Sequence, residues 1–238
     1  MATTTRNSSS CHISFLVSCS NFFLATLSLT LRFRNQVSKF AGSLQDLGVA
    51  KGDTVLIYTP LIPQAVVAML ACGRIGAVHS VVFGGFAPSE IATRIDDAKP
   101  SVVVTASCGI EPNRVISYRP ILEKAFQLAR HEVEKVVIVQ RHNIQSCELG
   151  SRDVDYDDLM EKATPVMAVP VRSTDPSYIL YTSGSTGKPK GILRDTGGHA
   201  TALKHSMGRF YGLRPGETIW TASDIGWVVG HSYIVYGE

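Results

Sequence analysis

From Asn35 onward, apolar positions recur with two alternating periods. Val37, Phe40, Ala41, Leu44 and Leu47 fall at helical spacing and stop at Gly48, a residue suited to ending a helix in the left-handed conformation. Thr54–Tyr58 then reads as a buried strand. Pro63 opens a helix through Gln64–Arg74, Gly76 follows it, and Val78–Phe83 is a second strand. The pattern continues with a helix near Pro88–Ala98, a strand at Ser101–Thr105, a helix around Pro120–Glu132 and a strand at Lys135–Val139. Residues 140–153 carry no period and read as a surface loop. Ser177–Tyr181, aromatic and β-branched, is a further strand. Strands and helices alternating at this spacing predict an α/β fold, with a parallel sheet, right-handed crossovers and helices on its flanks.

Residues 1–34 do not share this pattern. They are rich in Ser and Thr, carry Arg6, Arg32 and Arg34, and precede the first acidic residue, Asp46. That composition fits a mitochondrial presequence. Ile13–Leu31 is apolar enough to suggest a membrane segment, but Ser14, Ser18, Ser20, Asn21, Thr26, Ser28 and Thr30 interrupt it, so a span is not favoured. An atypical start to the chain is the third reading.

Composition narrows the class. The 238 residues are 45% hydrophobic and 18% charged, the balance of a globular domain with a substantial core. A net charge of +3 with no basic run argues against nucleic acid. Five cysteines (Cys11, Cys19, Cys72, Cys108, Cys147) form no C-x-x-C pair, which points to reduced thiols and to no zinc site; no metal ligands are assigned.

The densest chemistry lies in Tyr181–Gly191, YTSGSTGKPKG. Gly184, Gly187 and Gly191 allow bare backbone N–H groups to approach an anion, Thr182, Ser183, Ser185 and Thr186 add hydroxyls, and Lys188 and Lys190 add charge. This is the composition of a phosphate-handling loop. It is not a Walker loop: Thr182 stands where that motif needs its first glycine, and Pro189 follows Lys188 where it needs a Mg²⁺-binding hydroxyl. Nor does a G-x-G-x-x-G follow the first strand, as a dinucleotide-binding oxidoreductase would require.

Three further segments stand out. Val81–Phe86, VVFGGF, ends a strand in a Gly-Gly turn. Gly109–Arg114, GIEPNR, reads as a loop after a strand. Ala222–Tyr233 contains Gly226-Trp227-Val228-Val229, then His231. Taken alone, these are a structural turn, a surface loop and a piece of core.

Together with the YTSGSTGKPKG loop, they resemble the adenylate-forming superfamily, and within it the AMP-forming short-chain acyl-CoA synthetases of propionyl and acetyl type. The resemblance covers residues 35–238 and implies part of a large N-terminal adenylation domain. It implies that Thr182–Lys188, Lys190 and Gly191 hold the ATP β- and γ-phosphates, and that Phe83, Gly84, Gly85 and Arg114 contact CoA. It also implies that Trp227, Val228 and Val229 line the acyl pocket. Glu111 stands where acetate-type relatives offer a second arginine to the CoA phosphate, and Val229 where they tend to have Thr; both fit the propionate subgroup, as does Arg194–His199 with Ala202-Leu203-Lys204. His231 is structural, because a carboxylate substrate is already an anion and needs no base.

The implied reaction joins propionate or acetate to ATP as acyl-adenylate and then to CoA, with Mg²⁺ as activating ion and small molecules as partners. The implied location is the mitochondrion, with the cytoplasm as alternative. Members of the family continue beyond Glu238 with a further acidic motif, a hinge and a small C-terminal domain. The expectation for 35–238 is therefore an incomplete AMP-binding domain lacking its C-terminal domain, either a ligase or a truncated product with weak nucleotide or CoA binding.

Overall fold

The structure, a computed structural model, describes residues 30–112, 114–182, 189–214 and 216–237. Residues 1–36 separate as a small unit of which only 30–36, helical, are described, so the leader readings fall almost entirely outside. Val37–Glu238 forms the second unit, which holds the sheet and every segment singled out in the sequence.

The unit begins inside helix α1 (30–46), whose Phe40, Ala41 and Leu44 are buried and whose end is followed by Gly48 at φ 93°. Then come β1 (Thr54–Tyr58), α2 (Pro63–Ile75), β2 (Val78–Val82), α3 (Pro88–Ala98) and β3 (Val102–Ala106). Both α2 and α3 open on proline, whose missing N–H costs nothing in the first turn. A small hairpin, β4 (Cys108–Glu111) and β5 (Arg114–Ser117), leads into α4 (Tyr118–Leu128), β6 (Lys135–Val139), β7 (Asp153–Asp155) and α5 (Tyr156–Lys162). The chain then forms β8 (Pro176–Thr182), β9 (Lys190–Asp195) and α6 (Thr196–Arg209). It closes with the single turn α7 (Val228–Gly230), which runs into a π-helical turn, His231–Val235.

Seven strands form one sheet in the order β7-β6-β3-β1-β2-β8-β9, parallel except for β9, which returns antiparallel along β8. The step from β1 to β2 and the step back across β1 to β3 run in opposite directions, so crossovers of one hand place α2 and α3 on opposite faces. One face buries Leu56, Tyr58, Val82, Val103 and Ile138 beneath Ile91 and Ile95 of α3 and Leu122 and Ala125 of α4. Strands β2 and β3 are buried at every position, as parallel strands covered on both faces must be.

Departures from the sequence reading have local causes. GIEPNR belongs to the β4–β5 hairpin, whose ladder runs from Cys108 opposite Ser117 to Glu111 opposite Arg114. Helix α4 stops at Leu128 because Asp96 of α3 accepts from the backbone N–H groups of Arg130 (2.6 Å) and His131 (3.0 Å), drawing the chain away. The stretch 140–153 runs over the surface, with one bridge between Arg141 and Gln145, and ends in β7 at the sheet edge. Lys190–Asp195 is a strand before the capped helix: Asp195 accepts from the Gly198 N–H at 2.9 Å as the N-cap of α6. Among the described residues no helix is long and apolar enough to cross a membrane.

Candidate functional site

Because β1, β2, β3 and β8 are parallel, their C-terminal ends lie along one edge of the sheet. The Gly-Gly turn leaves that edge after β2 and the β4–β5 hairpin after β3, and β8 ends there at Thr182. Two of the segments singled out in the sequence, and the strand end from which the third continues, therefore share the edge where open α/β sheets bind their ligands.

Ser183, Gly184, Ser185, Thr186, Gly187 and Lys188 lie outside the described residues. The two strands that carry them are described. Thr182 pairs with Lys190 and Tyr181 with Gly191, closing the β8–β9 ladder, and Thr182, Lys190 and Gly191 are exposed there.

The Gly-Gly turn is held from below. The Tyr58 hydroxyl donates to the Gly84 carbonyl at 3.1 Å, and the Phe86 N–H donates to the Phe83 carbonyl at 3.1 Å. The Tyr118 ring stacks on Tyr58 with centroids 4.7 Å apart, and its hydroxyl lies where a Cβ on Gly84 would stand. Burial, helped by the nearby Glu111 charge, pushes the Tyr118 hydroxyl up to about 12, so it stays protonated. The glycine at 84 thus answers first to its own protein. We expect Gly84→Ala to lower stability by about 1–3 kcal/mol through overpacking, read as a fall in Tm without any ligand; an unchanged Tm would mean that Gly84 is there for a ligand alone.

Arg114 is exposed at the hairpin, and its Nε and Nη2 both donate to Glu111 Oε2 at 2.9 Å. The Glu111 carboxylate is turned onto Arg114. Trp227, Val228 and Val229 are each nearly half exposed rather than core. Asp224 accepts from the Gly226 N–H at 2.7 Å, and the turn so fixed brings the Trp227 ring to 6.1 Å from Phe83. Phe83 of the Gly-Gly turn and Trp227 of the Gly-Trp segment meet; Arg114 makes no described contact with either. A cavity of about 920 Å³ between α6 and the segment from Gly216 to Ile219 is lined by Leu203 and Lys204 but by none of the predicted phosphate, CoA or acyl-pocket residues. No group of three or more His, Cys, Asp or Glu among the described residues is placed to hold a metal ion.

His231 is fully buried, with its Nδ1 3.2 Å from the Trp227 carbonyl. It belongs to a cluster that sequence reading did not assemble: His79, Tyr178, His199 and Tyr236. The His79 ring stacks on Tyr178 and His231 at 5.4 Å each, and its Nε2 is 2.7 Å from the Tyr236 hydroxyl. Burial depresses His231 to about 4 and holds His79 well below its ordinary value. A histidine and a serine inside the otherwise apolar strand VHSVV were the available signal.

The arrangement defines a class: an α/β domain with a mostly parallel sheet, in which a Gly-Gly turn follows β2 and the β8–β9 strand pair opens at the same edge. The chain belongs to the AMP-binding enzyme family, whose sequence signature matches residues 31–237. Its relatives are short-chain acyl-CoA synthetases. It is 58% identical over 203 residues to the mitochondrial acyl-CoA synthetase short-chain family member 3 of Mus musculus, covering 85% of this chain and 30% of that protein. It is 47% identical over 212 residues to the propionate–CoA ligase of Escherichia coli K12, covering 87% and 34%. Acetoacetyl-CoA synthetase from Streptomyces lividans superposes with a TM-score of 0.77 at 26% identity, over 86% of this chain and 32% of that one. The chain thus spans about a third of the length of these relatives.

Proposed function

We propose that this sequence belongs to an AMP-forming short-chain acyl-CoA synthetase, with propionate favoured over acetate, acting in the mitochondrion. The observation that carries the reading is that the Gly-Gly turn, the β4–β5 hairpin and the end of β8, from which the glycine-rich segment continues in sequence, fall on one sheet edge. A carboxylate oxygen attacks the α-phosphorus of ATP, the bond to the bridging oxygen breaks, and pyrophosphate leaves. The CoA thiol then attacks the acyl-adenylate carbonyl, loses its proton and expels AMP. Such chemistry depends on positioning and charge neutralisation.

In this reading Thr182–Lys188, Lys190 and Gly191 hold the β- and γ-phosphates, and Mg²⁺ arrives with ATP. Phe83, Gly84, Gly85 and Arg114 serve CoA. Trp227, Val228 and Val229 form an apolar wall, which suits a short alkyl chain better than a polar one. A second reading stands beside the first: by itself this stretch binds nucleotide or CoA weakly without turnover. ATP–pyrophosphate exchange separates them. Propionate-dependent exchange supports the ligase; Mg-ATP binding without exchange supports the second; neither binding nor exchange sinks both.

The Glu111–Arg114 pair gives a sharper expectation. An exposed pair of this kind holds its partners by less than about 1 kcal/mol, so CoA phosphate can compete for Arg114. Glu111→Gln removes the competitor and is expected to tighten CoA about threefold at low salt, measured by titration. Weaker binding would remove Arg114 from the CoA site.

A further inference from the structure

Helix α3 carries a charged group that the proposed chemistry does not use. The Arg94 side chain is almost wholly buried, although arginine rarely is. Its guanidinium donates to Glu90, to the backbone carbonyl at 2.7 Å and to the carboxylate at 2.9 Å. Its flat face serves two rings: Phe86 lies 4.5 Å from Cζ and Tyr181 5.2 Å. Phe86 closes the Gly-Gly turn, and Tyr181 is the last buried residue of β8 before the glycine-rich loop. One turn further along α3, Asp97 accepts a 2.6 Å hydrogen bond from the Tyr181 hydroxyl. That contact is short and charge-assisted.

The returning strand records the same arrangement. Gly191 is paired with Tyr181, and a Cβ there would stand 3.0 Å from Ile179 Cγ2, 3.1 Å from Asp97 Oδ2 and 3.1 Å from the Tyr181 ring. A side chain at 191 would press on the hydrogen-bonded pair by a few tenths of an ångström, so a glycine singled out for its closeness to phosphate also leaves room for the clamp beside it.

We propose that Arg94 and Asp97 are positioning residues: through Tyr181 they fix the mouth of the β8–β9 hairpin, and through Phe86 the same arginine ties it to the Gly-Gly turn. Neither residue touches a reacting atom. The hairpin mouth sets where Thr182 and Lys190 stand, and the effect on phosphate binding rests on the function proposed above. Lysine is no substitute at 94, since an ammonium has no flat face to lay between two rings.

Tyr181→Phe and Asp97→Ala are mild enough to fold and remove the same contact. Limited trypsinolysis of the whole chain reads the mouth directly, since the bond after Lys188 is protected by Pro189 and cleavage after Lys190 yields a fragment starting at Gly191. Each variant is expected to raise the rate of that cleavage about tenfold, as loss of one charge-assisted bond lowers the cost of local opening. Cleavage after Lys162, at the end of α5, should be unchanged. The double variant should match the single ones, because the partners share one bond.

Mg-pyrophosphate affinity, titrated on the same proteins, should fall severalfold at nearly constant Tm. The clamp is overturned if cleavage after Lys190 rises no more than cleavage after Lys162. If the unaltered chain fails to bind Mg-pyrophosphate, the phosphate-loop reading fails, and the cleavage ratio still decides the clamp.

Discussion

Taken from pH 7 to pH 5, the domain is expected to lose about 3–4 kcal/mol of unfolding free energy, a large part of a typical domain's stability. The cause is the pair His79 and His231, both fully buried and both depressed, chiefly by burial. An unfolded histidine takes up a proton below about pH 6.5, whereas these two stay neutral while folded. The unfolded chain then binds more protons, so stability is fully present above about pH 6.5 and is lost as pH falls, at about 1.4 kcal/mol per unit for each residue. His231 stops contributing to the slope near its folded value of about 4.

The other titratable neighbours are Tyr178, Tyr236 and His199, of which His199 is half exposed, lowered by burial and by Arg194, and adds a smaller share in the same direction. Urea denaturation at several pH values measures the slope, and His231→Phe should reduce it by about one proton. A stability that is flat from pH 7 to 5 would refute the neutral, buried cluster.

Lys190→Ala is expected to slow adenylation by about 10- to 100-fold while leaving thioester formation nearly intact. Lys190 opens β9 directly across from Thr182, exposed at the sheet edge where pyrophosphate is proposed to depart. Removing a fixed donor where charge develops costs about 10²- to 10³-fold at rigid sites. The figure is set lower here because a lysine on a flexible stem is less fixed than a backbone N–H. The measurement is ATP–pyrophosphate exchange in the complete enzyme, beside single-turnover thioester formation from preformed acyl-adenylate. Equal losses in both half-reactions would move Lys190 away from the pyrophosphate.

How much was legible depended on burial. Strand β1, helix α3 and strand β6 fall where hydrophobic periodicity put them, because each buries a continuous apolar surface that leaves its period in the sequence. Strand β9 was missed because it is an edge strand exposed at all six positions, so KGILRD carries no alternation toward a core. The β4–β5 hairpin was read as loop because Gly109 and Pro112 look like loop residues, while Ile110 and Val115 point to solvent.

Among site residues, the glycine-rich segment announced itself by composition alone, and the strand feeding it is where aromatic and β-branched residues put it. Arg94 and Asp97 did not, since TRIDDA looks like the ordinary polar side of a helix until Phe86 and Tyr181 arrive from elsewhere in the chain. Trp227, which reads as core from its neighbours and as pocket wall from the resemblance, stands half exposed against Phe83.

The seven strands are not joined with equal security. Strand β1 pairs with β2 over five residues, whereas β2 meets β8 at a single pair, His79 with Tyr178, from distant parts of the sequence. The sheet therefore has a seam, and the buried rings of His79, Tyr178, His231 and Tyr236 are the mortar across it. In folding, the five strands on one side are expected to assemble first from nearer segments, with the β8–β9 hairpin added late, after a long chain closure. In the native state the same hairpin is expected to open first, and acid favours that opening because His79 and His231, neutral while enclosed, take up protons once it has opened.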